Sequence, residues 1–159
     1  MNGVRGRLLL AVIPLLIAVL PSTDCSRILV DFHRGGGIAG VQERLLVFED
    51  GFARAERRAG RTEQESFCAR LEPRRLGDLQ RALELADFPR LQPEYLPEHP
   101  VYDGYSYRID YRGYSVRTQD PIGEAAPEHL QIVIRELSAI LRELLEHGRV
   151  CPEGGATWG

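Results

Sequence analysis

Lysine is absent from this chain, and all 20 basic side chains are arginine. Without a lysine amine there is no Schiff base, no Walker-type phosphate-binding lysine and no lysine general base. Methionine occurs only at Met1, which removes thioether metal ligands from the rest of the chain. Neither sign of charge dominates, because the chain has 20 basic and 23 acidic residues. Its overall charge therefore does not favour binding to nucleic acid or to an anionic membrane.

Complete catalytic signatures are also missing, since the sequence contains no HExxH, GxSxG or CxxC motif. Gly35, Gly37 and Gly40 do satisfy GxGxxG, the fingerprint of a dinucleotide-binding loop. However, the nine residues between Gly40 and the Asp50-Gly51 turn have the pattern of a strand, so no helix begins where a pyrophosphate would bind. We therefore expect no cofactor, no metal site and no enzymatic activity.

Residues 1–24 have the pattern of an export signal. Two arginines precede an apolar run from Leu8 to Leu20, and polar residues follow it. This run of 13 residues is shorter than the roughly 20 that a membrane-spanning helix needs. We expect a signal peptide and a secreted or cell-envelope location, with no membrane span in the mature chain. Cys25 follows the run as a lipidated cysteine would, although Asp24 replaces the small residue favoured before it, so lipidation is the alternative.

Three cysteines in an exported chain allow at most one internal disulfide. We favour a bridge between Cys68 and Cys151, which would close a long loop and stabilise the fold by roughly 4 kcal/mol. A bridge from Cys25 to Cys151, joining the two ends of the domain, is the alternative. The cysteines are too few and too widely spaced for a zinc ribbon.

Alternation of apolar and polar residues predicts strands in two groups, separated by a helix. The predicted strands are residues 28–33, 41–49, a segment starting at 52, 67–71, 105–111 and 114–118. The charged stretch from Arg57 to Glu65 is predicted to be a solvated loop. Apolar stripes with helical spacing follow Pro73 and Pro127, and the second stripe stops before Gly148.

These elements predict an α+β fold, an antiparallel sheet of about five to six strands with two helices packed on one face. Residues 25–148 would form the single domain and residues 149–159 a C-terminal tail. All six tyrosines lie between residues 95 and 114. We expect Tyr105, Tyr107 and Tyr111 in the core, and Tyr95 and Tyr102 as exposed candidates for recognition.

The segment Gly36-Gly37-Ile38-Ala39-Gly40 is the second candidate for a contact surface. Its glycines permit positive φ in a protruding connection between two strands. Ile38 would then be an apolar side chain carried on the loop tip. Folding of Ile38 back onto the sheet is the alternative.

The order of these motifs resembles the emfourin family of proteinaceous protease inhibitors. The likeness covers roughly residues 27–145. It rests on four features: the glycine-rich loop between strands, the helix ending at Ala86-Asp87-Phe88, Asp103 before a tyrosine-rich strand, and Pro127-Glu128-His129-Leu130 at the start of the last helix. The leader, the cysteines and the insertion from Asp50 to Leu71 depart from the family.

The resemblance implies a small α+β domain without a cofactor that inhibits thermolysin-like zinc metalloproteases. It assigns the contact loop to Gly36, Gly37, Ile38, Ala39 and Gly40, with Ile38 where the family often has phenylalanine. The expected partner is thus a protein, in this case a secreted metalloprotease. Two other readings stay open: an envelope-associated binding module with an unknown ligand, and an enzyme whose site has no familiar motif.

Overall fold

A sheet of eight strands organises the described part of the chain. The computed structural model describes residues 27–37, 39–60, 64–99 and 101–151. The strands are β1 (Ile28–Gly36), β2 (Val41–Phe48), β3 (Phe52–Ala59), β4 (Glu65–Arg70), β5 (Glu94–Tyr95), β6 (Tyr105–Tyr111), β7 (Tyr114–Gln119) and β8 (Arg149–Val150). The helices are α1 (Pro73–Leu85), α2 (Ile122–Ala125) and α3 (Glu128–His147), with a 3-10 turn at Phe88–Arg90.

The α+β class predicted from the sequence is confirmed, but the sheet differs in detail. Its spatial order is β5-β7-β6-β1-β2-β3-β4-β8, and it is mixed because β5 runs parallel to β7. The expectation of five to six antiparallel strands missed β5 and β8, which have two residues each and are too short to show an alternating pattern. The expectation of two helices likewise missed α2, a single turn of four residues.

Helices α1 and α3 pack over one face of the sheet and enclose the core. Seven residues of α3 are buried, against two in α1. They join apolar side chains from the central strands, among them Phe32, Leu45 and Ile109, in one buried cluster. The two stripes with helical spacing therefore bury the same core, as the sequence pattern predicts.

Side chains that alternate with the core residues point from the other face of the sheet, which we call the open face. Pairing registers of the strands assign eleven charged residues and His33 to this face. They are Asp31, His33, Arg44, Arg54, Glu56, Arg58, Arg70, Glu94, Arg108, Asp110, Arg117 and Arg149.

The charged stretch from Arg57 to Glu65 is not simply a solvated loop. Strand β3 continues through Arg57 and Arg58 to Ala59, and β4 begins at Glu65. That part of the prediction was wrong because the charge of Arg57 is balanced by a buried carboxylate on the neighbouring strand. Residues 61–63 lie outside the described residues.

Cys68 and Cys151 form a disulfide, with their Cα atoms 5.2 Å apart. The bridge follows β8, which pairs with β4, so residues 149–151 of the predicted tail join the sheet edge. Residues 1–26, among them the predicted signal and Cys25, and residues 152–159 lie outside the described part of the chain. Within that part, no helix is both long enough and apolar enough to cross a membrane.

Candidate functional site

The predicted glycine-rich loop ends the β1–β2 hairpin and lies against a second loop, residues 101–104. We call these two loops together the glycine-rich end of the molecule. Gly36, Gly37 and Gly40 have φ angles of 134°, 72° and 57°. The Gly40 N–H donates to the Gly37 carbonyl at 3.0 Å, and the Gly37 N–H makes a long contact of 3.5 Å with the Gly104 carbonyl. The second of these contacts connects the two loops.

Gly36 is the position where glycine is required by both conformation and space. A Cβ atom built there would lie 2.5 Å from the Gly104 carbonyl oxygen and 3.2 Å from the Cα of Tyr105. Its φ of 134° also belongs to a region that residues with a side chain rarely occupy. Any substitution at Gly36 must therefore separate the two loops or change the backbone path.

The two candidate recognition tyrosines differ in their surroundings. Tyr102 is fully exposed on the 101–104 loop, next to Val101, which is half exposed. Tyr95 is half-buried and packs against the core, and its hydroxyl accepts a hydrogen bond from the Gln92 N–H at 2.9 Å. The expected exposure thus holds for Tyr102 and not for Tyr95. Of the three tyrosines expected in the core, Tyr111 is buried and Tyr107 is half-buried against the core. Tyr105 is half-buried with Arg34 over its ring, so the expectation of a core position was wrong for it.

A buried carboxylate supports the base of the hairpin. Glu43 on β2 is only 5% exposed. Arg34 on β1 donates to Glu43 Oε2 from Nε at 2.7 Å, and Arg57 on β3 donates to Oε1 from Nε at 2.9 Å. Each carboxylate oxygen is held by a guanidinium group, and charge-assisted bonds of this kind are among the stronger ones in proteins. The three strands are thereby joined just below the loop.

Aromatic contacts extend this network towards the second loop. The Arg34 guanidinium lies over the ring of Tyr105, 4.9 Å from its centroid. The Tyr105 N–H donates to Asp120 Oδ2 at 2.9 Å, and the Tyr107 hydroxyl donates to the same carboxylate at 3.2 Å. Burial, together with the negative charge of Asp120, raises the pKa of Tyr107 well above its ordinary value. Tyr107 therefore stays a neutral donor, and the strands that carry both loops are linked.

Sequence reasoning did not identify Glu43, Arg34 or Arg57 as important. One signal was present: Glu43 is spaced two residues from Val41 and from Leu45, so it shares their inward side of a predicted strand. An inward carboxylate requires a cationic partner. The identity of that partner depends on strand register, which the sequence alone did not provide.

On the open face, Asp31, His33 and Asp110 bring potential ligand atoms within 4.8 Å of one another. Arg44 contacts both Asp31 oxygens, through Nε at 3.0 Å and Nη2 at 2.7 Å. Arg108 places Nη2 2.7 Å from His33 Nε2 and Nε 3.1 Å from Asp110 Oδ2. A divalent cation would have to displace both guanidinium groups, so the geometry favours an ion-pair network over a metal centre.

Lowering the pH should reduce the stability of the fold, because Asp31 becomes protonated. Burial alone would raise the pKa of this carboxyl, but hydrogen bonds with His33 and Arg44 outweigh it and hold the pKa well below the ordinary value. A depressed pKa contributes stability that is present above the unfolded pKa of about 4 and is lost as pH falls further. Asp31→Asn should therefore cost about 1 kcal/mol at neutral pH, given partial solvent screening, and less near pH 2. Urea unfolding across this range measures it, and a pH-independent cost would contradict it.

No protein-family model matches this chain, and no curated protein matches its sequence. The emfourin resemblance therefore depends on the short motifs described above. The described part of its loop, Gly36, Gly37, Ala39 and Gly40, lies at the tip of the β1–β2 hairpin. Ile38 lies outside the described residues.

Proposed function

We propose that this protein is exported and acts by binding another protein through the glycine-rich end, as an inhibitor of thermolysin-like zinc metalloproteases. The single observation that carries the proposal is the contact between the glycine hairpin and the 101–104 loop, with Tyr102 fully exposed beside it. An inhibitor must fill a cleft with a segment that loses little entropy on binding. The contact between the two loops supports this role.

The network beneath the loops supports the same proposal. Glu43 and its two arginines, with Tyr105 and Tyr107 on Asp120, join the strands from which both loops emerge. Loops on a rigid support keep their geometry better than loops on mobile elements. The Cys68–Cys151 disulfide is compatible with an extracytoplasmic location, where thiols are oxidised. The emfourin resemblance supplies the class of target.

The proposed inhibition can be tested with purified mature protein and a panel of secreted proteases. We expect inhibition of thermolysin-like enzymes, and Ile38→Asp should weaken it at least about tenfold because the carboxylate would have to be desolvated in an apolar pocket. Tyr102→Ala and Gly36→Ala should also weaken it. Tyr114→Ala is the matched control, since Tyr114 is a partly exposed tyrosine in the β6–β7 hairpin.

The inhibition constants of the variants distinguish the proposed function from its alternatives. If the control alone preserves inhibition, the glycine-rich end is the contact surface. If every protease in the panel stays fully active, inhibition is wrong, and a binding module for another ligand becomes the preferred reading. Unchanged inhibition by both Ile38→Asp and Tyr102→Ala would remove the two loops from the mechanism.

A further inference from the structure

An exposed apolar patch lies on the chain between β5 and β6. Three of the seven exposed large hydrophobic side chains found among the described residues belong to this connection. Leu96 is 57% exposed, Val101 is 49% exposed, and Tyr102 is fully exposed. We call these three residues the apolar patch.

The backbone holds the members of the patch beside the same stretch of chain. Leu96 directly follows β5, which pairs with β7 as far as Thr118. The Val101 N–H makes a long contact of 3.4 Å with the carbonyl of Asp120, two residues after Thr118. Leu96 and Val101 therefore both lie near the end of β7, and Tyr102 follows Val101 directly. Exposed hydrophobic side chains that are gathered in this way, rather than scattered singly, mark interaction surfaces.

A groove of about 670 Å³ adjoins the patch, and Leu96 forms part of its lining. Its other lining residues include Glu94, Glu98 and Glu124, together with His99. We call this groove with its three glutamates the acidic groove. Although the chain contains 20 arginines, none from the described residues lines it. The groove therefore carries mainly negative charge.

Among the described residues, the three glutamates of the acidic groove have no ion-pair partner. All three are exposed, and none of their carboxylates forms an ion pair or accepts a hydrogen bond within that part of the chain. Arg117 faces Glu94 in the β5–β7 register, but the two side chains do not come within ion-pair distance. Glu98 and Glu124 thus carry most of the uncompensated charge.

The spacing of these carboxylates decides between a metal ion and a basic polypeptide segment. A divalent cation needs several ligand atoms around one point. None of the three glutamates belongs to a group of described residues whose ligand atoms come that close together. Separate carboxylates beside an apolar patch instead match separate cationic side chains beside an apolar one. Nucleic acid or an anionic lipid surface would be repelled.

We propose that the acidic groove and the apolar patch together bind a segment of a partner protein in which arginine or lysine flanks an apolar side chain. The apolar side chain would contact Leu96 and Tyr102, and the cations would pair with Glu98 and Glu124. The inference deepens the proposed function and rests on it, because Val101 and Tyr102 belong to the glycine-rich end. It adds that the target protease presents basic side chains at the rim of its cleft.

Fluorescence anisotropy of a short labelled peptide tests the inference. The probe contains leucine, arginine and serine, and in a matched second peptide glutamine replaces every arginine. With the mature protein, we expect saturable binding of the arginine peptide that weakens as salt rises from about 0.05 to about 0.3 M. The glutamine peptide should bind at least about tenfold more weakly.

Matched variants locate the binding surface. Glu98→Gln/Glu124→Gln should weaken binding of the arginine peptide at least about tenfold at low salt. Leu96→Ser should weaken it at low and high salt alike, because salt does not screen a hydrophobic contact. The control Glu143→Gln/Glu146→Gln makes the same change in net charge on α3 and should leave binding unchanged. All these positions are exposed, and thermal unfolding of each variant checks that the fold is intact.

Three results would overturn the inference. The arginine peptide binds no better than the glutamine peptide, or the control pair weakens binding as much as the groove pair. In the third, size-exclusion chromatography shows a dimer that Glu98→Gln/Glu124→Gln dissociates, which would assign the surface to a second copy of this chain.

The protease panel separates failure of this inference from failure of the proposed function. Peptide binding with the expected variant effects, while every protease stays active, supports the binding surface and rejects a metalloprotease as its partner. Protease inhibition that Glu98→Gln/Glu124→Gln leaves unchanged, without peptide binding, rejects the surface and supports inhibition.

Discussion

Replacing both Cys68 and Cys151 by serine should lower the free energy of unfolding by about 4 kcal/mol and the melting temperature by about 10 °C or more. The two cysteines are 83 positions apart, so the bridge removes much of the conformational freedom of the unfolded chain. It also holds β8, a strand of only two residues, at the sheet edge beside β4. Urea unfolding of the parent and the double variant measures the loss.

The third cysteine provides the control for this experiment. Cys25→Ser should unfold like the parent, because the bridge does not involve it. Reduction of the parent protein should produce the same loss as the double substitution. Destabilisation by Cys25→Ser, together with a Cys25–Cys151 link in a peptide mass map of the parent protein, would instead establish the alternative pairing.

Glu43→Ala should destabilise the protein by about 3 kcal/mol, because it leaves two arginines near the buried position without their carboxylate. The cost falls at the lower end of the range for buried pairs, since Arg57 is 41% exposed and can turn towards water. Thermal and chemical unfolding measure it. Glu49→Ala, which removes an exposed glutamate just beyond β2, is the matched control and should change the stability little.

A triple variant distinguishes the effect of unpaired charge on stability from the effect of lost packing. If Arg34, Glu43 and Arg57 are replaced together by methionine, leucine and methionine, most of the lost stability should return, because no charge is left unpaired. If Glu43→Ala is instead as mild as the Glu49→Ala control, the network contributes little to stability. Inhibition by Glu43→Ala should fall as well if the network orders the loops above it.

Most of the secondary structure could be predicted because its signals are local. Strands such as β1, β2 and β6 alternate with a period of two, and α3 buries a stripe at helical spacing. The elements that were missed have no such signal. β5 and β8 are two residues long and exist because longer neighbours offer hydrogen bonds to their backbones.

The candidate site was predictable only in part. The glycines that permit positive φ and the exposed Tyr102 could be read from residue types. Tyr95 belongs to the same tyrosine-rich segment, residues 95–114, but a hydrogen bond from Gln92 and contact with the core hold it half-buried. The residue type shows that a tyrosine side chain can be either buried or exposed, whereas its neighbours in the fold decide which of the two occurs.

The sequence by itself determined the α+β class, the core-forming stripes, the lack of lysine chemistry and the position of a glycine-rich loop between two strands. Tertiary structure decided which residues meet: Glu43 with Arg34 and Arg57, Gly36 with Gly104, and Arg108 with Arg117. The physical reason is how far apart in the sequence the interacting residues lie. Periodicity and backbone conformation depend on neighbours along the chain, while ion pairs and charged rows depend on the register between strands that are distant in sequence.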